Sequence, residues 1–207
     1  MSYNIEIFRE NQYKTSDWSG GTTTELYIYP KDSLYGDRNF RWRLSSAKVA
    51  VEQSIFTTLP GISRLIMVIE GELLLEHEGH HNARLKAFEQ DSFSGEWITR
   101  SFGKVIDFNL MMAKGYKGKL EAILVNGGEV IENNINDVER FSQITEVFYL
   151  VKGNIEITTG AKKKINLGKG DLALVTRTEK EGTLKFKINI SSKEESIIIR
   201  SLIFSCE

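Results

Sequence analysis

Four stretches of this chain place guanidinium groups, hydroxyls, carboxylates and an aromatic ring in patterns suited to recognising a small polar molecule. The run Trp18-Ser-Gly-Gly-Thr-Thr-Thr-Glu25 supplies an aromatic wall, two glycines, hydroxyls and a carboxylate. Phe40-Arg-Trp-Arg-Leu-Ser-Ser-Ala47 sets Arg43 and Ser45 on one side of an expected strand. Arg64 stands in the otherwise apolar run Ser63–Ile69, and Asp107, Asn109 and Met111 alternate with Ile106, Phe108 and Leu110. A guanidinium is a rigid fork of donors that grips a carboxylate with two hydrogen bonds and stays charged when desolvated. The candidate ligand-binding residues are therefore Arg64, Arg43, Trp18, Thr23, Glu25, Ser45, Asp107, Asn109 and Met111. The expected partner is a small carboxylate-bearing metabolite.

Each of these residues also has a purely structural reading. Glu25 and Asp107 can pair with Arg43 and Arg64, since a buried charge is costly without a partner. Glu25, Asp107 and Asn109 can instead hold magnesium or calcium if they converge. Arg41 and Lys48 near Arg43 point to a partly wet strand edge. Trp18 reads either as a pocket wall or as a core aromatic beside a turn, and the glycines after it would let backbone approach a ligand. Thr23 and Glu25 share a strand face with Tyr27 next along it, while Phe56, Pro60 and Gly61 read as a turn and its packing.

The elements that must position these groups are strands. Period-2 alternation dominates, with Phe40, Trp42 and Leu44 opposite Arg41, Arg43, Ser45 and Ala47. Glu129–Phe141 is the one stretch that could hold a helical turn. Arg64-Leu-Ile-Met-Val-Ile-Glu-Gly71-Glu-Leu-Leu-Leu is echoed by Glu146-Val-Phe-Tyr-Leu-Val-Lys-Gly153-Asn-Ile-Glu-Ile, 82 residues on. Each copy continues through a polar turn (Glu76–Asn82, Thr158–Lys164), a leucine (Leu85, Leu167) and an acidic turn (Asp91, Asp171). That order at about half the chain length predicts a duplicated β unit, closed or sandwiched. The expected domains are 1–112, which carries all three tryptophans and the candidate pocket, and 113–207, a degenerate second copy.

Composition narrows the partners. A net charge of −1 provides no field that would draw the chain to nucleic acid or to an anionic membrane. No apolar run approaches the roughly 18 residues of a spanning helix. The opening residues lack the basic and apolar regions of a secretory signal, so a cytoplasmic location is expected. Cys206 reads as an incidental thiol near the end of the chain. The apolar strand Ile197–Ile203 suits either a homodimer interface or a buried sheet position.

Taken together, Trp18-x-Gly-Gly-x-Thr-x-Glu25, Trp42-Arg-Leu-Ser-x-Ala47, Phe56-x-x-x-Pro-Gly61-x-x-Arg64, Phe93-x-Gly95 and Asp107-x-Asn-x-Met111 resemble the HutD/Ves family. The resemblance implies an all-β fold of two cupin-type jelly-roll barrels in one chain, a bicupin. It further implies small-metabolite binding in a metabolic regulatory role, linked in some members to histidine utilisation.

Cupin barrels commonly hold a metal through His-x-His, a glutamate and a distant histidine. Here His77, His80 and His81 all fall in His77-Glu-Gly-His-His81, read as a solvated hairpin tip without the distant ligand, and the second copy has no histidine. No metal centre and no cofactor are therefore expected. Nucleotide loops and a nucleophilic serine elbow are absent. The leading expectation is a non-enzymatic binding protein. Its rival is a metal-independent isomerase or hydrolase with Glu25 or Asp107 as general base, which the neighbouring arginines would weaken by lowering the carboxylate pKa.

Overall fold

The computed structural model describes residues 3–126, 128–132, 141–160, 162–178, 185–190 and 195–206. It divides into two compact units, one formed by Tyr13–Gly118 and the other by Met1–Gln12 together with Lys119–Glu207. Both are built from antiparallel strands, as the period-2 pattern requires. No helix among the described residues is long and apolar enough to cross a membrane.

Among the described residues, nineteen strands follow in chain order. They are β1 (Asn4–Phe8), β2 (Lys14–Trp18), β3 (Gly21–Tyr29), β4 (Trp42–Val49), β5 (Gln53–Ile55), β6 (Ile62–Gly71) and β7 (Leu73–His77). Next come β8 (Asn82–Leu85), β9 (Gln90–Ser94), β10 (Thr99–Phe102), β11 (Val105–Ala113), β12 (Tyr116–Val125) and β13 (Gly128–Glu132). The last are β14 (Gln143–Lys152), β15 (Asn154–Thr159), β16 (Lys164–Gly168), β17 (Leu172–Thr178), β18 (Lys185–Ile190) and β19 (Ser196–Ser205).

The first unit pairs a six-stranded sheet, β2-β3-β4-β11-β6-β9, with a four-stranded sheet, β5-β10-β7-β8. The second pairs β1-β17-β14-β19-β12 with β13-β18-β15-β16. Shifting every strand number by eight turns β4-β11-β6-β9 into β12-β19-β14-β17, and β5-β10-β7-β8 into β13-β18-β15-β16. The repeat read from the sequence is thus a repeat of topology: two jelly-roll barrels of cupin type.

Each barrel has its own apolar core. In the first, Ile66, Val68, Leu73, Leu75, Phe93 and Val105 pack together; in the second, Phe148, Leu150, Ile155, Ile157, Phe186 and Ile188 do so. The alternation of β6 and β7 accounts for the first set, because every second side chain points between the sheets.

Two expectations need correction, and a third resolves between its alternatives. The division does not fall at 112/113: β1 pairs with β17, from Asn4↔Thr176 to Phe8↔Leu172, and covers the open edge of the second unit's larger sheet. Arg9 Nη1 then holds Asp171 Oδ2 at 2.6 Å. Ile197–Ile203 lies within β19, between β14 and β12, which is the buried sheet position offered as one of its two readings. Of the stretch read as a helical turn, 129–132 belong to β13 and 133–140 lie outside the described residues.

Gly71 and Gly153 hold matching turns, with φ of 93° and 90°. A Cβ on Gly71 would lie 2.6 Å from the Lys104 carbonyl oxygen, and one on Gly153 would lie 2.1 Å from Ser196 Oγ. Gly71→Ala and Gly153→Ala should each lower stability by about 1–3 kcal/mol in urea unfolding. Gly36→Ala, with open space around it, should stay within about 0.5 kcal/mol of wild type. Equal transitions for all three variants would remove these glycines as turn determinants.

Candidate functional site

The larger sheet of the first barrel brings the polar candidates onto one face by register alone. Thr23, Ala47 and Asp107 are cross-strand neighbours on β3, β4 and β11; so are Glu25, Ser45 and Asn109. Arg43 opposes Met111, which opposes Arg64, which opposes Phe93. Further along β6 the same face continues as Ile66 and Val68 into the core. The arginine row therefore stands where the barrel interior changes from apolar to polar.

A cavity of about 280 Å³ opens there. Eight of the nine candidate residues line it: Trp18, Thr23, Arg43, Ser45, Arg64, Asp107, Asn109 and Met111. Glu25 stands behind the wall, accepting a 2.7 Å bond from Arg43 Nε. Tyr35, Phe56, Ser16, Ser54 and Thr57 complete the polar and aromatic lining.

The two arginines are satisfied differently. Arg43 donates to Glu25 and, through Nη1, to Ser45 Oγ at 3.0 Å, with its guanidinium 4.4 Å above the Tyr35 ring centre. Arg43 is buried, because β4 is an interior strand between β3 and β11; the wet edge expected from Arg41 and Lys48 is not present. Arg64 donates from Nη2 to Asn109 Oδ1 at 2.9 Å, and Asn109 Nδ2 donates to Asp107 Oδ1 at 3.0 Å. Its guanidinium lies 4.6 Å from the Phe56 ring and 5.1 Å from the Phe93 ring. Arg64 Nε is buried without a hydrogen-bond partner, and no carboxylate among the described residues forms an ion pair with Arg64. An amide stands between this cation and Asp107, so the direct ion pair expected from the sequence is absent.

The electrostatics follow from burial. Desolvation lowers Arg64 to about 10, so the guanidinium remains charged at neutral pH. Desolvation also raises Asp107 to about 6, outweighing the Asn109 hydrogen bond and the Arg64 charge, which both act to lower it. Arginine does act to depress this carboxyl, as expected, but the loss of solvent is the larger effect and the net shift is upward.

Local details depart from the simple alternation. A bulge between Glu25 and Tyr27 turns Tyr27 to the opposite face, where it stacks on Trp42 at 4.9 Å. The glycines after Trp18 serve the fold. A Cβ on Gly20 would sit 2.1 Å from the Trp18 ring, and one on Gly21 would meet the Lys48 carbonyl at 1.9 Å. Trp18 itself is partly exposed at the cavity rim. Phe56 is no mere turn packing, since it faces both the cavity and Arg64. Tyr35 had no sequence signal, for it lies in a loop whose return to Arg43 depends on the folded chain.

The histidine cluster also differs from its reading. Gly79 turns the tip with a φ of 75°, yet His77 is buried beneath it. The signal was available: His77 continues the inward row Leu73, Leu75 on β7.

A family model for HutD matches residues 10–197. This chain belongs to the HutD family. Its architecture is close to that of a conserved protein of unknown function from Pseudomonas aeruginosa PAO1, with a TM-score of 0.82 at 23% identity over 98% of this chain and 100% of that one. HutD from Pseudomonas fluorescens SBW25 superimposes with a TM-score of 0.68, also at 23% identity, over 96% and 98% of the two chains. Lactobacillus farciminis oxalate decarboxylase shares the fold at 10% identity, with a TM-score of 0.63 over 96% of this chain and 85% of that one.

Asp107 provides a direct test of these electrostatics. Its pKa is higher in the folded than in the unfolded chain, so its stabilising contribution is complete below the ordinary value of 3.8 and is lost as pH rises through about 6. Asp107→Asn should therefore flatten the pH dependence of unfolding across that window, measured by circular dichroism in urea. A variant profile parallel to wild type would show that Asp107 ionisation is not linked to folding.

Proposed function

We propose that the first barrel binds a small carboxylate-bearing metabolite on Arg64 and that this binding, rather than turnover, is the protein's activity. The observation that carries the reading is a buried, charged guanidinium facing a cavity with one N–H unpartnered and no ion-paired carboxylate among the described residues. Such a charge is expensive unless an anion arrives to meet it.

The second barrel supplies an internal comparison. By the repeat, Arg64 corresponds to Glu146, and Asn109, opposite Ile66, corresponds to Arg200, opposite Phe148. There the cation has its carboxylate built in: Arg200 Nε donates to Glu146 Oε1 at 2.6 Å, and Nη1 donates to Glu121 Oε2 at 3.1 Å. Where the second barrel sets two carboxylates against its cation, the first presents a cation and a neutral amide. A ligand carboxylate would supply the counterpart of Glu146.

The cavity lies at the small end of ligand sites, suiting a metabolite rather than a dinucleotide. Ser45, Thr23 and the aromatic rings of Tyr35, Phe56 and Trp18 offer donors and flat apolar surface for the rest of the molecule. Membership of the HutD family makes acids of the histidine-degradation route the first ligands to test, in a metabolic regulatory role. The fold neighbour from Lactobacillus farciminis, solved as a formate complex, offers a precedent for carboxylates in this architecture.

One observation favours catalysis: a carboxyl raised to about 6 inside the cavity suits a general base better than an ordinary aspartate would. The two readings separate experimentally. Isothermal titration with urocanate, formylglutamate and formiminoglutamate should show saturable binding by at least one of them. Arg64→Ala should weaken it by roughly tenfold to a hundredfold, the value of a charged hydrogen-bonded contact. Binding should tighten as pH falls from about 7.5 to about 5.5, because protonating Asp107 removes a competing negative charge while ligand carboxylates stay ionised. Undiminished binding in Arg64→Ala would overturn the assignment. Conversion of the bound acid, seen by NMR and abolished in Asp107→Asn, would replace binding with catalysis.

A further inference from the structure

We propose that His77, His81 and Asp91 form a binding site for one divalent transition-metal ion, with zinc the expected occupant. The site lies beneath the β7–β8 hairpin tip, is separate from the arginine cavity, and does not depend on that cavity's function.

The geometry comes from three elements. His77 ends β7, His81 follows the turn, and Asp91 comes from β9, in the other sheet of the same barrel. His77 Nε2 lies 2.9 Å from Asp91 Oδ2, while His81 Nε2 lies 3.0 Å from Oδ1 and 3.1 Å from Oδ2. One donor atom from each residue falls within 4.8 Å of the others. Ligand atoms around a tetrahedral zinc with bonds near 2.05 Å stand roughly 3.3 Å apart. The two histidine–aspartate separations need to open by only a few tenths of an ångström to reach that spacing.

The surroundings suit a ligand set. The Thr99 hydroxyl lies 2.8 Å from His77 Nδ1 and 3.5 Å from the Trp97 carbonyl oxygen. Donating to that carbonyl, it can accept from Nδ1–H, and in that tautomer the Nε2 lone pair is available to an ion held between it and Asp91. This is the outer-shell arrangement of metal-bound imidazole. His77 is wholly enclosed, Asp91 nearly so, and His81 is 43% exposed, leaving an approach for the ion and room for a water as fourth ligand. His80, stacked 3.7 Å over Trp97, anchors the turn rather than joining the set. Two imidazoles and one carboxylate favour a borderline ion such as zinc over magnesium or calcium, which take oxygen donors.

The test uses tag-free, full-length protein in a Cys206→Ser background, stripped with EDTA. Zinc is titrated by calorimetry, and cobalt(II) is followed by visible absorption. The expected result is one ion per chain with the intense visible bands of four-coordinate cobalt, accompanied by a change in tryptophan emission from Trp97. His81→Ala and Asp91→Asn should each weaken zinc binding by about tenfold or more while leaving circular dichroism unchanged. Arg64→Ala should bind zinc as wild type does. Failure of folded wild type to bind zinc, or full affinity in either ligand variant, overturns the site.

Discussion

A desolvated guanidinium is the constraint around which the first barrel is arranged. Arg64 occupies an inward position on β6, where an apolar residue would normally extend the row of Ile66 and Val68. Keeping it charged there takes an amide from β11, aromatic faces from Phe56 and Phe93, and a carboxyl close enough to act through space. That carboxyl, Asp107, is itself driven toward neutrality by the same enclosure. The sheet order β4-β11-β6-β9 is what makes the arrangement possible, because it stacks the three polar rows on a single face.

The second barrel shows the alternative solution to the same architectural problem. With eight equivalent strands in the same order, it has Glu146 in place of Arg64 and Arg200 in place of Asn109, so a carboxylate and a cation face each other where the first barrel sets a cation against a neutral amide. The result is a closed ion pair, further held by Glu121. Two positions thus separate a barrel whose buried arginine has an ion-paired carboxylate from one whose buried arginine has an amide. The difference between the barrels is chemical rather than topological.

Phe93 connects two features that otherwise stand apart. Its ring centre lies 5.1 Å from the Arg64 guanidinium and 4.6 Å from the His77 ring, so one side chain packs against both the arginine and the histidine cluster. Both depend on β9, which contributes Phe93 to the one and Asp91 to the other. Glycine has no such double role here: Gly20 and Gly21 give room to Trp18 and to the Lys48 carbonyl.

The sequence by itself determined the strand character, the duplication and the identity of half of the residues that line the cavity. Alternation along β4 and β11 has period two whatever the partners, so Arg43 with Ser45, and Asp107 with Asn109 and Met111, had to share faces. Tertiary structure decided what those residues meet. The bulge after Glu25 removed Tyr27 from the face, a loop returned Tyr35 to Arg43, and β9 carried Asp91 to two histidines from the opposite sheet. It also decided that β1 joins the second barrel, and that Asp107 is raised rather than lowered. The physical reason is common to all of these. Periodicity is a property of neighbouring residues, whereas pairing partners, burial and the balance between desolvation and charge arise only when distant segments exclude water together.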